Sequence, residues 1–231
     1  MNAPLMSLRA KAYESFRQQI LEANVRPGQF ISQRELMQLL DMPLGAVREL
    51  IPRLEAEGLL RTVPQRGLQI AHVDLALINN AYQLRLVLER EAALRFCATV
   101  SDADLAAIED AHLGIVERAR RGPVDAALLT DAQSVDWGLH DLMIDALGNT
   151  LISEMYRVNS LRVRLIRLER AMLSEDALLP AMEEHLWFIA ALRQRDPARV
   201  AARLTHHLES AHLRVLGLPR PPLAIDEDPT A

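Results

Sequence analysis

Residues 31–67 read ISQRELMQLLDMPLGAVRELIPRLEAEGLLRTVPQRG, and this stretch decides how the N-terminal part of the chain folds. Ser32 and Glu35 have the S-x-x-E spacing of a capping box, which predicts the start of a short helix. We expect Asp41 to cap a second helix, with Pro43 in its first turn, where a missing N–H costs little. Two short helices joined by a tight connection are therefore predicted.

Apolar residues at helical spacing give each predicted helix one buried face. They are Leu36, Leu39 and Leu40 in the first helix and Val47, Leu50, Ile51 and Leu54 in the second. Gly58 is expected to end the second helix. The runs LLRTV (59–63) and LQIAHV (68–73) then predict two strands, with PQRG (64–67) as the turn between them. This order of elements predicts a winged helix-turn-helix with a small β-hairpin wing, a module that binds DNA.

The runs RPGQFISQREL (26–36) and AVRELIPRLEAEGLLRTVPQRG (46–67) resemble the GntR family of bacterial transcription regulators. The resemblance implies that Arg34, Arg48, Arg66 and Gly67 contact double-stranded operator DNA. Arginine can donate two hydrogen bonds to guanine or to phosphate, and glycine lets the wing backbone approach the duplex. The alternative is a generic winged helix that contacts other proteins.

The resemblance has departures at the start of the second helix. The family often carries Ser-Arg-Thr-Pro before its Val-Arg-Glu run, whereas residues 43–46 here are PLGA. An arginine and a hydroxyl are missing, so we expect base recognition to depend more on the wing and on DNA shape. Pro52 removes a helical hydrogen bond to the Arg48 carbonyl, which predicts a kink.

Composition limits what the rest of the chain can be. The 231 residues are half apolar, but no run of about 20 uncharged apolar residues predicts a membrane span. The N-terminus lacks a signal-peptide pattern, so a cytoplasmic protein is expected. Cys97 is the single cysteine, which excludes an internal disulfide, and we expect it to pack in a core.

The net charge of −5 is divided unevenly. Residues 1–73 carry nine Lys/Arg and seven Asp/Glu, a surplus of +2, which leaves −7 for the remainder. A mildly basic head on an acidic body favours phosphate binding at one end of the chain.

The remainder of the chain predicts a mainly α protein. Ser7 is expected to cap a helix before the winged region, and the helices predicted after it cover 75–98, 101–121, 124–146, 149–172, 180–195 and 197–216. We therefore expect a DNA-binding domain at 1–73 and an all-helical domain at 74–217. Residues 218–231 contain four prolines and three acidic residues, which predicts a disordered tail.

Four residues of the helical part have the chemistry of a metal site. Asp136 and His140 lie four residues apart and so share one helix face, and His185 and His207 lie on later helices. One carboxylate and three imidazoles suit a divalent transition metal. Because a chain with seven histidines often produces such spacings by chance, surface or capping histidines are the alternative.

The helical part also resembles the FCD ligand-binding domain of the FadR subfamily, through RLVLEREAA (85–93), DWGLHDLMIDALGN (136–149) and EHLWFIAALRQRDPARVAARLTHH (184–207). The resemblance implies an antiparallel bundle of six or seven helices. It also implies that the four residues above hold a metal ion, with zinc or nickel as first candidates. His207 is preferred to the adjacent His206 because it keeps the family's spacing of 22 residues from His185. We expect His112 and His212 to take no part.

The same resemblance implies a homodimer, most often a repressor, that responds to a small organic acid. Arg85 is expected to pair with the carboxylate of that effector, and a surface charge or an ion pair with Glu89 is the alternative. A metal-free regulator and a metal-dependent hydrolase are the competing functions. An enzyme is not expected, because the only neighbouring candidate for a general base, Glu184, is expected to point away from His185.

Overall fold

The computed structural model describes residues 7–169 and 175–219. The elements within these ranges are α1 (Leu8–Leu21), β1 (Phe30–Ile31), α2 (Gln33–Leu40), α3 (Leu44–Ala56), β2 (Leu60–Val63), β3 (Gly67–Ile70), α4 (Leu75–Thr99), α5 (Asp102–Arg121), α6 (Ala126–Asp145), α7 (Thr150–Glu169), α8 (Glu175–Arg193) and α9 (Pro197–Leu216). The mainly helical fold with one small sheet is confirmed. No helix among the described residues is both long enough and apolar enough to cross a membrane.

Contacts divide the described chain into two compact units. The first contains residues 7–81 and 157–169, and the second contains residues 82–156 and 175–219. Both α4 and α7 contribute residues to each unit. The domain boundary between residues 73 and 74 therefore stays a prediction. Most of the expected disordered tail, from residue 220 onward, lies outside the described residues.

The first unit has the predicted winged arrangement. Its three strands form an antiparallel sheet in the order β1-β3-β2, so β2 and β3 make the hairpin of the wing. The capping box is confirmed, because the Ser32 hydroxyl accepts from the Glu35 amide at 3.1 Å and the Glu35 carboxylate accepts from the Ser32 amide at 2.7 Å. Pro52 lies inside α3 on its exposed side, and the helix continues past it to Ala56.

The predicted role of Asp41 was wrong. Asp41 does not cap α3 but ends α2, in a left-handed conformation with φ 51° and ψ 48°. Aspartate tolerates this conformation better than most residues, and the tight connection requires it. Pro43 occupies the N-cap position of α3 and provides no side-chain hydrogen bond.

The core of the first unit includes residues of α7, a helix that was predicted to belong to the C-terminal helical domain. Leu36 from α2 and Leu50 and Leu54 from α3 are fully buried, as their spacing predicts. Leu161 and Leu165 of α7 are buried in the same cluster. A segment more than 80 residues beyond the wing therefore completes the hydrophobic core of the DNA-binding head.

Helix boundaries in the second unit agree with the sequence to within about two residues, except at the start of α8. The predicted end of α7, near residue 172, lies outside the described residues. Asp196 caps α9 by accepting from the amides of Ala198 and Arg199, and Pro197 is its first residue. The predicted start of α8 at Pro180 was wrong, since the helix begins at Glu175. Proline is favoured in a first helical turn but is tolerated further in at the cost of one hydrogen bond. The free Cys97 is buried in the core of this unit, as expected.

Candidate metal centre and DNA-binding surface

The fold brings the four proposed ligands together inside the second unit. Asp136 and His140 come from α6, His185 from α8 and His207 from α9. Each side chain is buried, and one ligand atom from each lies within 4.8 Å of those from the other three. The Nε2 atoms of His185 and His207 are 3.1 Å apart, and Nε2 of His185 is 3.6 Å from Oδ1 of Asp136.

Each histidine of the cluster has a polar atom close to its other ring nitrogen. Nδ1 of His140 lies 2.7 Å from Oε2 of Glu89, and Nδ1 of His207 lies 2.9 Å from Oε2 of Glu184. Nδ1 of His185 lies 3.0 Å from Nε2 of His112. The Glu184 carboxylate only accepts hydrogen bonds, so Nδ1 of His207 carries a proton and its Nε2 presents a lone pair. Nε2 of His140 lies 3.2 Å from Nη2 of Arg85, which can only donate, so this nitrogen accepts and Nδ1 of the neutral ring carries the proton.

The tautomer of His185 follows from a longer chain of contacts. Nδ1 of His112 lies 2.7 Å from the backbone oxygen of Ile108, which can only accept, so this nitrogen donates. In a neutral ring, Nε2 of His112 then accepts from Nδ1 of His185. Nε2 of His185 consequently carries a lone pair, and this lone pair faces the one on Nε2 of His207.

Burial disfavours the charged form of His112, His185 and His207. It lowers the pKa of His207 to about 4, although the hydrogen bond with Glu184 acts in the opposite direction. Burial, and after it the neighbouring His207, hold the pKa of His185 well below its usual range. Burial also lowers the pKa of His112. Neutral imidazole is the form that binds metal, so His185 and His207 would release few protons on binding a metal ion.

Arg85 is buried and paired with Glu89. Its Nε donates to Oε1 of Glu89 at 2.6 Å, which matches the alternative weighed for this residue. Its Nη2 also lies 3.2 Å from Nε2 of His140 and therefore points toward the cluster. Burial alone would raise the pKa of Glu89, but the charge of Arg85, followed by His140, lowers it to about 2.

Glu184 has contacts that its position in the sequence does not predict. Glu184 lies on α8 beside His185, but its buried carboxylate reaches across to His207 on α9 and accepts from Nη1 of Arg214 at 2.7 Å. The hydrogen bonds from His207 and Arg214 overcome the effect of burial and lower the pKa of Glu184 to about 2. No local spacing reveals this contact, because the partner is 23 residues away.

His112 also has a contact that the sequence does not predict. This residue is buried on α5 and contacts His185, so it belongs to the surroundings of the cluster. His212 instead stacks on Tyr82 with ring centroids 4.9 Å apart. His206 packs edge-on against Trp187 at 5.5 Å, while the adjacent His207 faces the cluster. The preference for His207 agrees with this geometry.

The donor set fits a divalent transition metal. Three imidazole nitrogens and one carboxylate oxygen are ligands that zinc and nickel accept. In such sites the other ring nitrogen of each imidazole commonly donates to a carboxylate that does not touch the metal. Lone pairs that face each other in a buried site repel, and a cation between them would remove this repulsion. A metal ion bound to Nε2 of His140 would take the place of the contact from Arg85.

The predicted DNA contacts lie on the first unit. Arg34 and Arg48 are exposed, and within the described part of the chain their side chains form no ion pair or hydrogen bond. Arg66 is exposed at the wing tip with its guanidinium 3.9 Å from the ring centroid of Phe30. Gly67 has φ +91°, and a Cβ there would lie 3.1 Å from the Ile31 oxygen. The backbone conformation and this close approach both favour glycine at position 67.

Two other arginines of the head have structural partners. Arg53 lies over the ring of Tyr13, 3.4 Å from its centroid, and pairs with Glu57. Arg61 donates to the side-chain oxygen of Gln69, its cross-strand neighbour. These contacts separate them from Arg34 and Arg48.

Two family profiles match the chain. Residues 8–70 match the family described as "Bacterial regulatory proteins, gntR family". Residues 80–210, more than half of the chain, match the "FCD domain" family.

Curated relatives cover most of the chain. The HTH-type transcriptional repressor RspR of Escherichia coli (strain K12) is 23% identical over 208 residues, which cover 89% of this chain and 88% of that protein. The Nta operon transcriptional regulator of Aminobacter aminovorans is 24% identical over 195 residues, which cover 84% of this chain and 88% of that protein.

Solved structures share the fold. E. coli McbR/YncC superposes with a TM-score of 0.77 at 17% identity, covering 92% of this chain and 99% of that chain. A putative transcriptional regulator GntR from Rhodococcus sp. RHA1 gives a TM-score of 0.73 at 20% identity, covering 93% and 100%. This chain is a DNA-binding transcription regulator of the GntR family, with an FCD domain after its winged helix.

Proposed function

We propose that this regulator binds a divalent transition metal, zinc or nickel, at Asp136, His140, His185 and His207. We also propose that a small carboxylate effector bound at this metal controls the affinity of the regulator for operator DNA. The observation that carries the proposal is the 3.1 Å separation of two acceptor nitrogens, Nε2 of His185 and Nε2 of His207. Buried polar groups are normally satisfied, and a cation satisfies both at once.

Charge balance supports an anionic effector. Glu89 is paired with Arg85, and Glu184 with Arg214, so these four side chains contribute no net charge. A divalent ion bound by three neutral imidazoles and one carboxylate keeps one positive charge, which a carboxylate would neutralise. The Nη2 group of Arg85 already points toward the cluster and can donate to such a carboxylate.

DNA contact is proposed for Arg34, Arg48, Arg66 and Gly67. The three arginines are exposed, and their guanidinium groups are strong donors to guanine and phosphate. The α3 N-terminus offers no side-chain cap, so its free amides are available to phosphate oxygens.

We also propose that the regulator is a homodimeric repressor of the FadR subfamily. The head is small and has a slight cationic surplus, so one copy should bind weakly. Two heads gain by effective concentration on half-sites related by a two-fold axis. The relative RspR is named as a repressor, which supports this direction of control.

The metal-free regulator is the second candidate, and the contact of Arg85 with His140 favours it, because Arg85 occupies a nitrogen that a metal would need. A metal-dependent hydrolase has less support. The neighbouring carboxylates Glu89 and Glu184 both have a pKa of about 2, which makes them weak general bases near neutral pH.

The test combines metal analysis with operator binding. Purified protein is assayed for bound metal, stripped with chelator, reloaded with zinc or nickel, and titrated with operator DNA in the presence of a panel of mono- and dicarboxylates. We expect about one metal per chain and acid-dependent release of DNA only from the metal-loaded form. Equal acid responses of stripped and loaded protein would support the metal-free regulator instead.

A further inference from the structure

His112 is a buried histidine that none of the proposed roles above uses. It lies on α5, whereas the four proposed ligands come from α6, α8 and α9. Its side chain is 1% exposed, and both of its ring nitrogens have a partner. A buried imidazole held at both nitrogens has a fixed orientation, so it can fix the orientation of whatever it contacts.

The direction of the hydrogen bonds is set by the backbone. The Ile108 oxygen is 2.7 Å from Nδ1 of His112 and accepts a hydrogen bond from it, which leaves Nε2 of the neutral ring as an acceptor. Nε2 lies 3.0 Å from Nδ1 of His185. His185 must therefore donate from Nδ1 and direct the lone pair of Nε2 into the cluster.

The other two histidines of the cluster are held differently. Carboxylates face Nδ1 of His140 and of His207, and each carboxylate is neutralised by an arginine. A third carboxylate behind His185 would add a buried negative charge, and among the described residues no such carboxylate contacts Nδ1 of His185. A neutral imidazole accepts the same hydrogen bond without adding charge.

We propose that His112 is a positioning residue for the metal centre, which fixes the tautomer and ring orientation of His185 without touching the metal itself. This inference rests on the proposed metal site. Loss of such an outer partner commonly weakens metal binding by about 10–100-fold while the ligands stay in place.

Two substitutions separate the acceptor role from simple packing. His112→Leu fills the space but leaves Nδ1 of His185 without an acceptor. His112→Gln supplies an amide oxygen that can replace Nε2 as acceptor. His212→Leu, which removes the ring stacked on Tyr82, serves as the control for removing a histidine from the same unit.

The experiment measures zinc affinity of the full-length chains by competition with a chromophoric chelator, together with the visible spectrum of the cobalt-substituted proteins. We expect His112→Leu to weaken zinc binding about 10–100-fold and to change the cobalt bands. His112→Gln should recover most of the affinity and the wild-type bands, and His212→Leu should match wild type. Thermal melting of the stripped proteins checks that the variants are folded.

The outcomes distinguish this inference from the metal site itself. If wild type binds zinc and His112→Leu binds it equally well with the same cobalt spectrum, the positioning role is wrong and the metal centre stands. If His112→Gln is as weak as His112→Leu although both fold, the acceptor role is also wrong. If wild type binds no zinc or cobalt, the metal centre fails and this inference fails with it.

Discussion

Nε2 of His185 and Nε2 of His207 face each other at 3.1 Å, and the partners of both rings make each of these atoms an acceptor. Two acceptors at this distance cannot form a hydrogen bond with each other while both rings are neutral. The arrangement is therefore stable only because the surrounding helices hold the rings in place. A metal ion would convert this repulsion into two bonds.

The first prediction concerns these two rings. His185→Ala and His207→Ala should each reduce bound metal strongly in elemental analysis, because each removes one of four ligands. Metal should raise the melting temperature of wild type and not of either variant, since it binds the folded chain preferentially. His206→Ala is the matched control, because His206 packs against Trp187. Wild-type metal content in His185→Ala protein would contradict the site.

The second prediction concerns DNA. Arg48→Ala should lose about 1–3 kcal/mol of operator binding if Arg48 contacts a base, measured by fluorescence anisotropy with specific and random duplexes. If Arg48 contacts only phosphate, binding should weaken equally on both duplexes, with a flatter dependence on salt. Arg26→Ala removes another exposed arginine of the head that is not among the proposed contacts. Arg26→Ala should bind both duplexes as wild type does, and unchanged binding of Arg48→Ala to both duplexes would remove Arg48 from the interface.

The third prediction concerns the wing glycine. Gly67→Ala should lower the free energy of unfolding by about 1–3 kcal/mol, since it forces a Cβ into a left-handed conformation. The new Cβ would also crowd the Ile31 oxygen. Gly45→Ala in α3 meets no atom within 4 Å and should be neutral or stabilising by up to about 1 kcal/mol. Urea denaturation of the full chain compares them, and equal stability would leave DNA contact as the reason for glycine at position 67.

The fourth prediction concerns the part of α7 that completes the head. Leu165 is fully buried in the core of the first unit, so Leu165→Ala should cost about 2–5 kcal/mol of stability. Leu151 lies on the same helix but is 74% exposed, and Leu151→Ala should change stability by less than about 0.5 kcal/mol. Both are measured by chemical denaturation. A fragment of residues 1–73 that proved as stable as the head in the full chain would show that α7 is dispensable.

The fifth prediction concerns Arg85. Arg85→Lys keeps a positive charge beside Glu89 but loses the planar pair of donors, so metal binding should persist while the affinity for a carboxylate effector falls by roughly tenfold or more. Arg90→Lys on the exposed side of α4 is the matched control. Isothermal titration of the metal-loaded proteins, with the acid that releases operator DNA, measures the change. An unchanged affinity in Arg85→Lys would exclude Arg85 from the effector site.

Sequence alone predicted the elements whose causes are local. The capping box of Ser32 and Glu35, the buried faces of α2 and α3, the wing hairpin and the cap of α9 at Asp196 all depend on residues within a few positions of each other. The errors at Asp41 and Pro180 are also local, because aspartate and proline each suit more than one position at a helix end. Periodicity does not decide between those positions.

Spacing and resemblance together identified the four residues of the cluster, but tertiary structure decided what surrounds them. Glu184 is 23 residues from His207, and His112 is 73 residues from His185, so no pattern along the chain connects them. The contribution of Leu161 and Leu165 to the winged-helix core likewise depends on where α7 passes. Helical periodicity specifies which face of a helix is buried but not which helix will cover it. Only the packed fold, by bringing distant side chains within hydrogen-bonding distance, determined the tautomers of the cluster.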